Sequence, residues 1–108
     1  MNRHPYELFF QAIGHPSRLA ILQLLQKGSH SVLQMVEKLN MEQSAVSHNL
    51  QCLSRCGFIQ AERKGKKRIY SLNRPVTEKL LSLIDDHIHK FQNEFVACGI
   101  LQGRDKCC

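Results

Sequence analysis

The sequence predicts a mainly α-helical domain that carries one β-hairpin, and three observations lead to this fold class. In the first half of the chain, four short segments repeat apolar residues every three or four positions, which is the period of a helix. Two strand-like segments then flank a glycine inside a basic run. A long segment with helical period follows. The length of 108 residues predicts one domain, 1–108, with a last helix at about 75–100 and a short tail.

The first two helices are separated by a glycine and a proline. We expect the first helix from about Pro5 to Ile13, because proline suits the first helical turn. The segment Gly14-His15-Pro16 ends it. A second helix begins near Ser17 and ends at Lys27-Gly28. Its expected apolar stripe consists of Leu19, Leu22 and Leu25.

The third and fourth helices form a pair joined by a tight turn. Ser31 opens the third helix, and Gln34, three residues later, completes the pattern of a capping box. The turn is Asn40-Met41-Glu42, and the fourth helix spans about Gln43 to Cys56. The expected apolar stripes are Leu33, Val36 and Leu39 on the third helix and Val46, Leu50 and Leu53 on the fourth. Such a pair is typical of a helix-turn-helix motif.

A basic β-hairpin follows the fourth helix. Gly57 is the expected C-cap, and strands at Phe58 to Arg63 and Arg68 to Leu72 flank the turn Lys64-Gly65-Lys66-Lys67. Within six positions lie five of the fifteen basic residues: Arg63, Lys64, Lys66, Lys67 and Arg68. A helix-turn-helix followed by such a hairpin is a winged helix-turn-helix.

The last helix is expected to start after Asn73, with Pro75 in its first turn. One of its sides is apolar along its whole length, through Val76, Leu80, Leu83, Ile84, Ile88, Phe91 and Phe95. On an isolated chain so long a strip would meet water, unless it packed on its own domain. We therefore expect a homodimer formed through the first and last helices. The first helix would contribute Tyr6, Phe9, Phe10 and Ile13.

Composition and charge reduce the number of function classes that fit the sequence. Fifteen Lys and Arg against nine Asp and Glu give a net charge of +6, which favours a polyanionic partner. No apolar run approaches the ~18 residues of a membrane span, and the N-terminus does not resemble a secretory signal. We therefore expect a cytoplasmic protein whose thiols stay reduced. The sequence contains no nucleophile elbow, P-loop or dinucleotide fingerprint, so we do not expect an enzyme.

The fourth helix and the hairpin together predict a surface that reads double-stranded DNA. Polar residues near the start of this helix lie away from its apolar stripe: Gln43, Ser44, Ser47 and His48. The second helix of such a motif reads base edges from its N-terminal end, and a basic hairpin can contact phosphates or the minor groove. The alternatives are a solvated polar face and a solvated charged turn. For His48 we favour hydrogen bonding to DNA over metal binding or catalysis.

Five cysteines are an odd number, which fits a disulfide framework poorly. Cys52 and Cys56 are four residues apart on one helix and therefore share a face. Steps of about 100° per residue place the pair beside the apolar stripe, where it should be accessible. Thiolates favour ions such as Cd, Pb, As(III) or Zn over Mg or Ca. Redox sensing by the thiols and a purely structural role remain the alternatives.

Four segments resemble the bacterial ArsR/SmtB repressors: Gly14–Leu22, Gln43–Leu50, Gly57–Ile59 and Gly65–Leu72. The resemblance covers roughly residues 8–90. It implies a homodimer that binds a palindromic operator and releases it when an inducer binds, usually a metal ion.

Members of this family hold metal at several locations, so each location has to be compared with this sequence. A cysteine pair near the second or third helix is absent from Ser29–Leu33. The site on the last helix is half present, because Asp85 and His87 match it but Leu101 stands where His or Glu is expected.

Cys52 and Cys56 resemble the cadmium- and lead-sensing, CmtR-like branch of the family. That branch binds metal with two cysteines of the recognition helix and one from the C-terminal region. The resemblance implies Cys98 as the third ligand, with Cys107 and Cys108 as weaker candidates. Asp85 and His87 are likewise weaker candidates for a metal site.

Overall fold

The computed structural model describes residues 4–99, 101 and 103. In chain order its elements are α1 (Pro5–Ile13), α2 (Pro16–Gln26), β1 (His30–Ser31), α3 (Val32–Leu39), α4 (Gln43–Arg55), β2 (Ile59–Lys64), β3 (Lys67–Leu72), a π-helical turn (Arg74–Glu78) and α5 (Lys79–Ala97). The helix-turn-helix is α3 with α4, and the wing is β2 with β3, so the winged helix-turn-helix fold is confirmed.

Two compact units make up the chain, with the boundary between Thr77 and Glu78. The N-terminal unit contains α1 to α4 and all three strands. The C-terminal unit contains α5. A single domain over 1–108 with a C-terminal dimerisation helix stays a prediction.

A histidine and a proline set the start of each of the first two helices. The ring Nδ1 of His4 accepts a hydrogen bond from the Tyr6 backbone N–H at 3.1 Å, and His15 accepts one from Ser17 at 3.2 Å. Proline follows each histidine, where its lack of an N–H costs nothing. The second helix therefore begins at Pro16, one residue earlier than expected.

The predicted capping box at the start of α3 is confirmed. The Ser31 hydroxyl accepts a hydrogen bond from the Gln34 backbone N–H at 3.3 Å, and the Gln34 side-chain oxygen accepts one from the Ser31 N–H at 2.8 Å. At the other end, Asn40 takes the left-handed conformation with φ of 52°, which short polar residues tolerate. This residue turns the chain toward α4.

The core of the N-terminal unit lies among α2, α3, α4 and the sheet. Its fully buried apolar side chains are Ile21, Leu22, Met35, Val46, Leu50 and Leu53. The predicted α4 stripe is confirmed. The α3 stripe is partly wrong, because Leu33 is 59% exposed whereas Met35 is 0% exposed. The inward face of α3 is therefore centred on Met35.

The sheet has three antiparallel strands in the order β1-β3-β2, whereas the sequence predicted a two-stranded hairpin. The additional strand is β1, in which His30 pairs with Tyr70 and Ser31 pairs with Ile69. A strand of two residues is too short to show an alternating pattern, so only its pairing with β3 reveals it.

The wing is longer and its turn is tighter than predicted. Lys64 pairs with Lys67, so the turn consists of Gly65 and Lys66 rather than four residues. Gly65 has a φ of 64° at the first turn position, where a type II′ turn requires glycine. The strands therefore continue into the basic run.

The end of α4 and the segment before α5 are joined by a hydrogen bond that was not expected. The helix ends with Cys56 at the C-cap, and Gly57 follows with φ of 83°, so Gly57 is not itself the cap. The side-chain amide of Asn73 donates to the Gly57 carbonyl at 2.9 Å. The Asn73 amide thus binds the carbonyl that follows α4 and does not cap α5. The N-cap position of α5, which follows the π-helical turn, is occupied by Glu78.

Apolar side chains are exposed on α1 and, separately, on α5. Tyr6 and Phe10 are 72% and 61% exposed, and Leu83 is 68% exposed. On α5 the strip continues through Ile88, Phe91 and Phe95, all at least 40% exposed. These open faces agree with the expected dimer surfaces, although pairing of two chains stays a prediction. None of the described helices combines the length and apolar character that crossing a membrane requires.

Candidate nucleic-acid interface and thiol pair

Residues on one face of α4 form the first part of the candidate interface. Val46 and Leu50 are buried and anchor the helix to the core. The side chains predicted to read DNA are all exposed: Gln43, Ser44, Ser47 and His48. Glu42 stands at the N-cap without a side-chain hydrogen bond to the first turn. Backbone N–H groups at such a helix start can donate to a phosphate.

A groove of about 910 Å³ runs between α4 and the sheet. It is lined from the helix by Ser47, His48, Gln51, Ser54 and Arg55, and from the sheet by Gln60, Ala61, Arg68 and Tyr70, among others. The structure therefore brings the predicted helix residues Ser47 and His48 together with the predicted wing residue Arg68. Gln43 and Ser44 lie outside the groove lining, one turn earlier on the helix.

Polar residues of this groove that the sequence analysis missed include Gln51, Ser54, Arg55 and Gln60. The helical period, continued four and seven positions from Ser47 and His48, would have found Gln51 and Arg55. Gln60 becomes a neighbour only because β2 folds against α4, so no local pattern points to it.

The basic residues of the wing are exposed and are held close to one another. Arg63 pairs with Arg68 across the two strands, and Lys64 pairs with Lys67. All five basic side chains of the tip, including Lys66, are exposed. Like charges directly opposite each other destabilise a strand pair. An anionic partner would reduce this repulsion, which agrees with the expected polyanionic partner.

The second feature of α4 is its thiol pair. Cys52 is half-buried and Cys56 is exposed, as the position beside the core stripe predicted. The two thiols are within hydrogen-bonding reach of each other. Two sulfurs so close on one rigid helix can bind the same thiophilic ion, and this donor set fits the metal that the resemblance implies.

The surroundings of Cys56 raise the pKa of its thiol. Partial desolvation by the surrounding atoms contributes most even though the side chain is exposed, the charge and hydrogen bond of Cys52 raise the pKa further, and the Arg18 guanidinium lowers it. The neutral thiol is therefore favoured when no metal is bound. A metal ion would have to displace this proton, which makes its affinity dependent on pH.

The other predicted metal ligands lie in the C-terminal unit or beyond the described chain. Cys98 is half-buried and lines a groove of about 290 Å³ together with His87. The His87 ring packs against Phe91 at a centroid distance of 4.8 Å. Asp85 is exposed on α5. Cys107 and Cys108 are outside the described residues.

Among residues 4–99, 101 and 103, no three Cys, His, Asp or Glu side chains lie close enough together to hold one metal ion. Within that part of the chain, Cys52 and Cys56 thus provide two donors.

Comparison with known proteins identifies the family. The sequence profile described as "Bacterial regulatory protein, arsR family" matches residues 15–61, which include α4 and both of its cysteines. The chain is 39% identical over 82 residues to the HTH-type transcriptional regulator NmtR of Mycobacterium tuberculosis, covering 73% of this chain and 68% of NmtR. This chain belongs to the ArsR/SmtB family.

Another relative of this ArsR/SmtB protein is named a probable mercury resistance operon repressor, from Streptomyces lividans. It is 39% identical over 75 residues, which are 69% of this chain and 60% of that protein. The chain thus spans less than two thirds of that relative's length. The family and these relatives are DNA-binding transcriptional regulators rather than enzymes, and members of the family typically sense metals.

Solved structures carry the same fold. The crystal structure of Rv0081 from M. tuberculosis superposes with a TM-score of 0.77 at 32% identity, over 88% of this chain and all of that one. The homodimeric winged helix-turn-helix domain of Mb0332 from Mycobacterium bovis gives a TM-score of 0.69 at 27% identity, over 76% of this chain and 78% of that one. Both comparisons support the fold. That this chain resembles the CmtR-like branch more than other branches of the family stays a prediction.

Proposed function

We propose that this ArsR/SmtB protein is a homodimeric repressor that binds a palindromic operator and releases it when a thiophilic metal ion binds Cys52 and Cys56. The observation that carries the proposal is that α4 bears both the candidate DNA-reading face and the thiol pair. Its groove face presents Ser47 and His48, and an adjoining face presents the thiol pair. A ligand on the thiols therefore acts directly on the helix that reads DNA.

The DNA half of the proposal rests on shape and charge. The polar face of α4 is of a size to enter the major groove, and the wing beside it can neutralise phosphates. In a symmetric dimer the two copies of α4 would have to lie about 34–36 Å apart, one helical turn of DNA. Small changes in that spacing would weaken binding to both half-sites at once.

The metal half rests on the chemistry of the donor pair. A bound ion such as Cd, Pb, Zn or As(III) supplies a strong bond to sulfur and keeps the thiols deprotonated. The residues of the chain provide the rest: α4 holds Cys52 and Cys56 four positions apart, and a cysteine of the C-terminal region would complete the site. Cys98 is the first candidate for this role, before Cys107 and Cys108.

The raised pKa of the Cys56 thiol favours metal sensing over peroxide sensing at this residue. A thiol that reacts with peroxide needs a low pKa, because the thiolate is the reactive form. Burial and Cys52 shift the pKa of Cys56 the other way. Metal binding does not share this requirement, since the ion itself displaces the proton. A regulator that works on DNA in the cytoplasm would also keep these thiols reduced.

The test begins with a duplex selected by the protein from a random-sequence pool, which we expect to be palindromic. Affinity for this duplex is then measured by fluorescence anisotropy with and without Cd²⁺ under reducing conditions. The wild-type protein should lose roughly 5–150-fold in affinity, the usual range of allosteric coupling. The double variant Cys52→Ser with Cys56→Ser should bind the duplex normally and ignore Cd²⁺.

Ala45→Ser is a matched control, because Ala45 is exposed on the same side of α4, about two turns before Cys52 and three before Cys56. It should respond to Cd²⁺ like the wild type. Release of DNA by Cd²⁺ from the double-serine variant would show that the site is elsewhere. Release of the wild-type protein by peroxide alone, reversed by a reductant, would favour the redox alternative.

A further inference from the structure

One arginine connects three elements of the N-terminal unit. The Arg18 guanidinium donates through Nε to the Ala12 carbonyl and through Nη2 to the Gln11 carbonyl at 3.1 Å. Through Nη1 it also donates to Oδ1 of Asn49 at 3.5 Å. Arg18 lies on α2, the two carbonyls are near the end of α1, and Asn49 is on α4. The planar guanidinium has enough donors to serve all of these acceptors together.

Arg18 reaches α4 on the side that carries the thiols. Asn49 is 6% exposed, so its amide is fixed in the interior beside the guanidinium. With steps of about 100° per residue, Asn49 points only about 20° away from Cys56 and about 60° away from Cys52 around the helix. The guanidinium charge is also felt by the Cys56 thiolate. Geometry and charge therefore both place Arg18 next to the pair.

We propose that Arg18 transmits the state of the Cys52–Cys56 pair to α1, an inference that rests on the proposed metal-sensing function. With neutral thiols, the guanidinium holds the Gln11 and Ala12 carbonyls. When a metal ion is bound by the thiolates of the pair, the guanidinium turns toward the sulfurs. The guanidinium is a cation, so it is attracted by the net negative charge of a thiolate complex, whereas the carbonyls are neutral dipoles; this difference in charge drives the exchange.

The consequence of this exchange falls on α1. The helix is held to the rest of its unit by Arg18 and by ring contacts such as Phe9 with Phe58, whose centroids are 5.2 Å apart. Release of the two carbonyls would loosen the end of α1. Because α1 exposes Tyr6 and Phe10 on a proposed dimer surface, its movement would change the distance between the two reading helices.

The charge of the complex gives Arg18 a second, related effect. Three thiolates around a divalent ion carry a net charge of −1, whereas three thiolates bonded to As(III) are neutral. The Arg18 cation beside the pair therefore favours the divalent complex over the As(III) complex. Arg18 should also respond more strongly when a divalent ion binds than when As(III) binds. Arsenite is thus a useful second probe, because it occupies the same sulfurs without the net negative charge.

The experiment compares Arg18→Met and Arg18→Lys with Lys27→Met, which removes a cation from the C-terminal end of the same helix. Binding of Cd²⁺ is followed by thiolate-to-metal absorbance, and DNA affinity is measured with and without Cd²⁺. All variants should show the absorbance. The loss of DNA affinity on adding Cd²⁺ should fall below about threefold in Arg18→Met, whereas Lys27→Met should keep the wild-type response; a coupling of 5–150-fold is the usual range.

The Lys variant should keep part of the response, because it retains the charge but not the planar fork. Undiminished release of DNA from Arg18→Met, with normal Cd²⁺ absorbance, would overturn the role of Arg18 and leave the proposed function intact. Absence of thiolate absorbance in the wild type would overturn both proposals.

A second measurement uses the unmodified protein and does not depend on the folding of a variant. Addition of Cd²⁺ should shift the Arg18 Nε–H resonance in a nitrogen–proton NMR spectrum. It should also speed exchange of the Gly14 amide, whose N–H donates to the Phe10 carbonyl at 2.8 Å at the end of α1. The double-serine variant of the cysteines should show neither change. An unmoved Arg18 resonance in Cd²⁺-loaded wild-type protein would contradict the inference.

Discussion

Arg63 of β2 lies directly opposite Arg68 of β3. The next pair toward the tip, Lys64 with Lys67, repeats the arrangement. Two consecutive like-charged pairs are expected to destabilise the hairpin of the isolated protein, because like charges lie directly opposite each other. Such pairs are explained if the wing functions beside a polyanion such as DNA. Stability and DNA binding should therefore respond in opposite directions to a change of charge at the tip.

Replacing Lys67 by glutamate tests this opposition. Lys67→Glu places an opposite charge across from Lys64, and such pairs contribute roughly 0.2–1 kcal/mol, so the free energy of unfolding in urea should rise. Affinity for DNA should fall, and the dependence of log K on log salt should flatten by about 0.9 for each phosphate that the wing no longer neutralises. Lys90→Glu makes the same charge change on α5 and should leave the DNA salt dependence nearly unchanged. A variant that is both less stable and equally tight on DNA would refute this account of the wing.

The groove between α4 and the sheet predicts a different effect for Gln51. Gln51→Ala should weaken binding to the selected duplex by about 1–3 kcal/mol, because an amide that reads a base edge is removed. Binding to a random duplex and the salt dependence should hardly change, since no charge is removed. Lys66→Ala provides the contrast, with a similar reduction in affinity on every sequence. An equal reduction by Gln51→Ala on both duplexes would mean that Gln51 does not read bases.

The parts of the fold that the sequence predicted are those set by nearby residues. The α4 stripe of Val46, Leu50 and Leu53 follows from helical spacing alone, and the capping box of Ser31 and Gln34 spans only four residues. The position of the wing tip, though not the length of its turn, was predicted for a similar reason, because its glycine and basic residues are adjacent in the sequence.

The errors arise where partners are distant in sequence. Strand β1 exists only because His30 finds Tyr70, forty residues later. The Asn73 amide, expected at the next helix, is taken by Gly57. Arg18 was seen only as part of a family motif, because its link to Asn49 forms in three dimensions. Within the site, the thiol pair was predictable from its spacing of four, whereas the arginine beside it was not.

The capping box offers a test of stability that is separate from function. Ser31→Ala should lower the free energy of unfolding by about 1 kcal/mol, because the N–H of Gln34 loses its acceptor. Ser29→Ala, at an exposed position two residues earlier, should have little effect. Combined with Gln34→Ala, the destabilisation should be smaller than the sum of the two single effects, since the two residues form one reciprocal pair. Strict additivity in urea unfolding would contradict the paired geometry.

The thiol of Cys56 makes the protein sensitive to alkaline pH in a defined direction. Its pKa is raised in the folded chain, mainly by burial and next by Cys52, so folding favours the neutral thiol. The stability contributed by this group is therefore complete below the ordinary cysteine pKa and is lost as the pH rises through the folded pKa. The rate of alkylation of Cys56, followed by peptide mass spectrometry, should reach half its maximum at a higher pH in the folded protein than in urea.

Cys52→Ala should bring the alkylation midpoint of Cys56 closer to the value in urea, because it removes one charge and one hydrogen bond that favour the protonated form. Burial remains, so part of the upward shift of the pKa should persist. The affinity of the wild-type protein for Cd²⁺ should rise with pH over the same interval, as each bound thiol must lose its proton. A midpoint for Cys56 below that of the urea-unfolded chain would reverse the sign of this argument. It would also restore the redox alternative, because a thiol with a lowered pKa is the form that peroxide attacks.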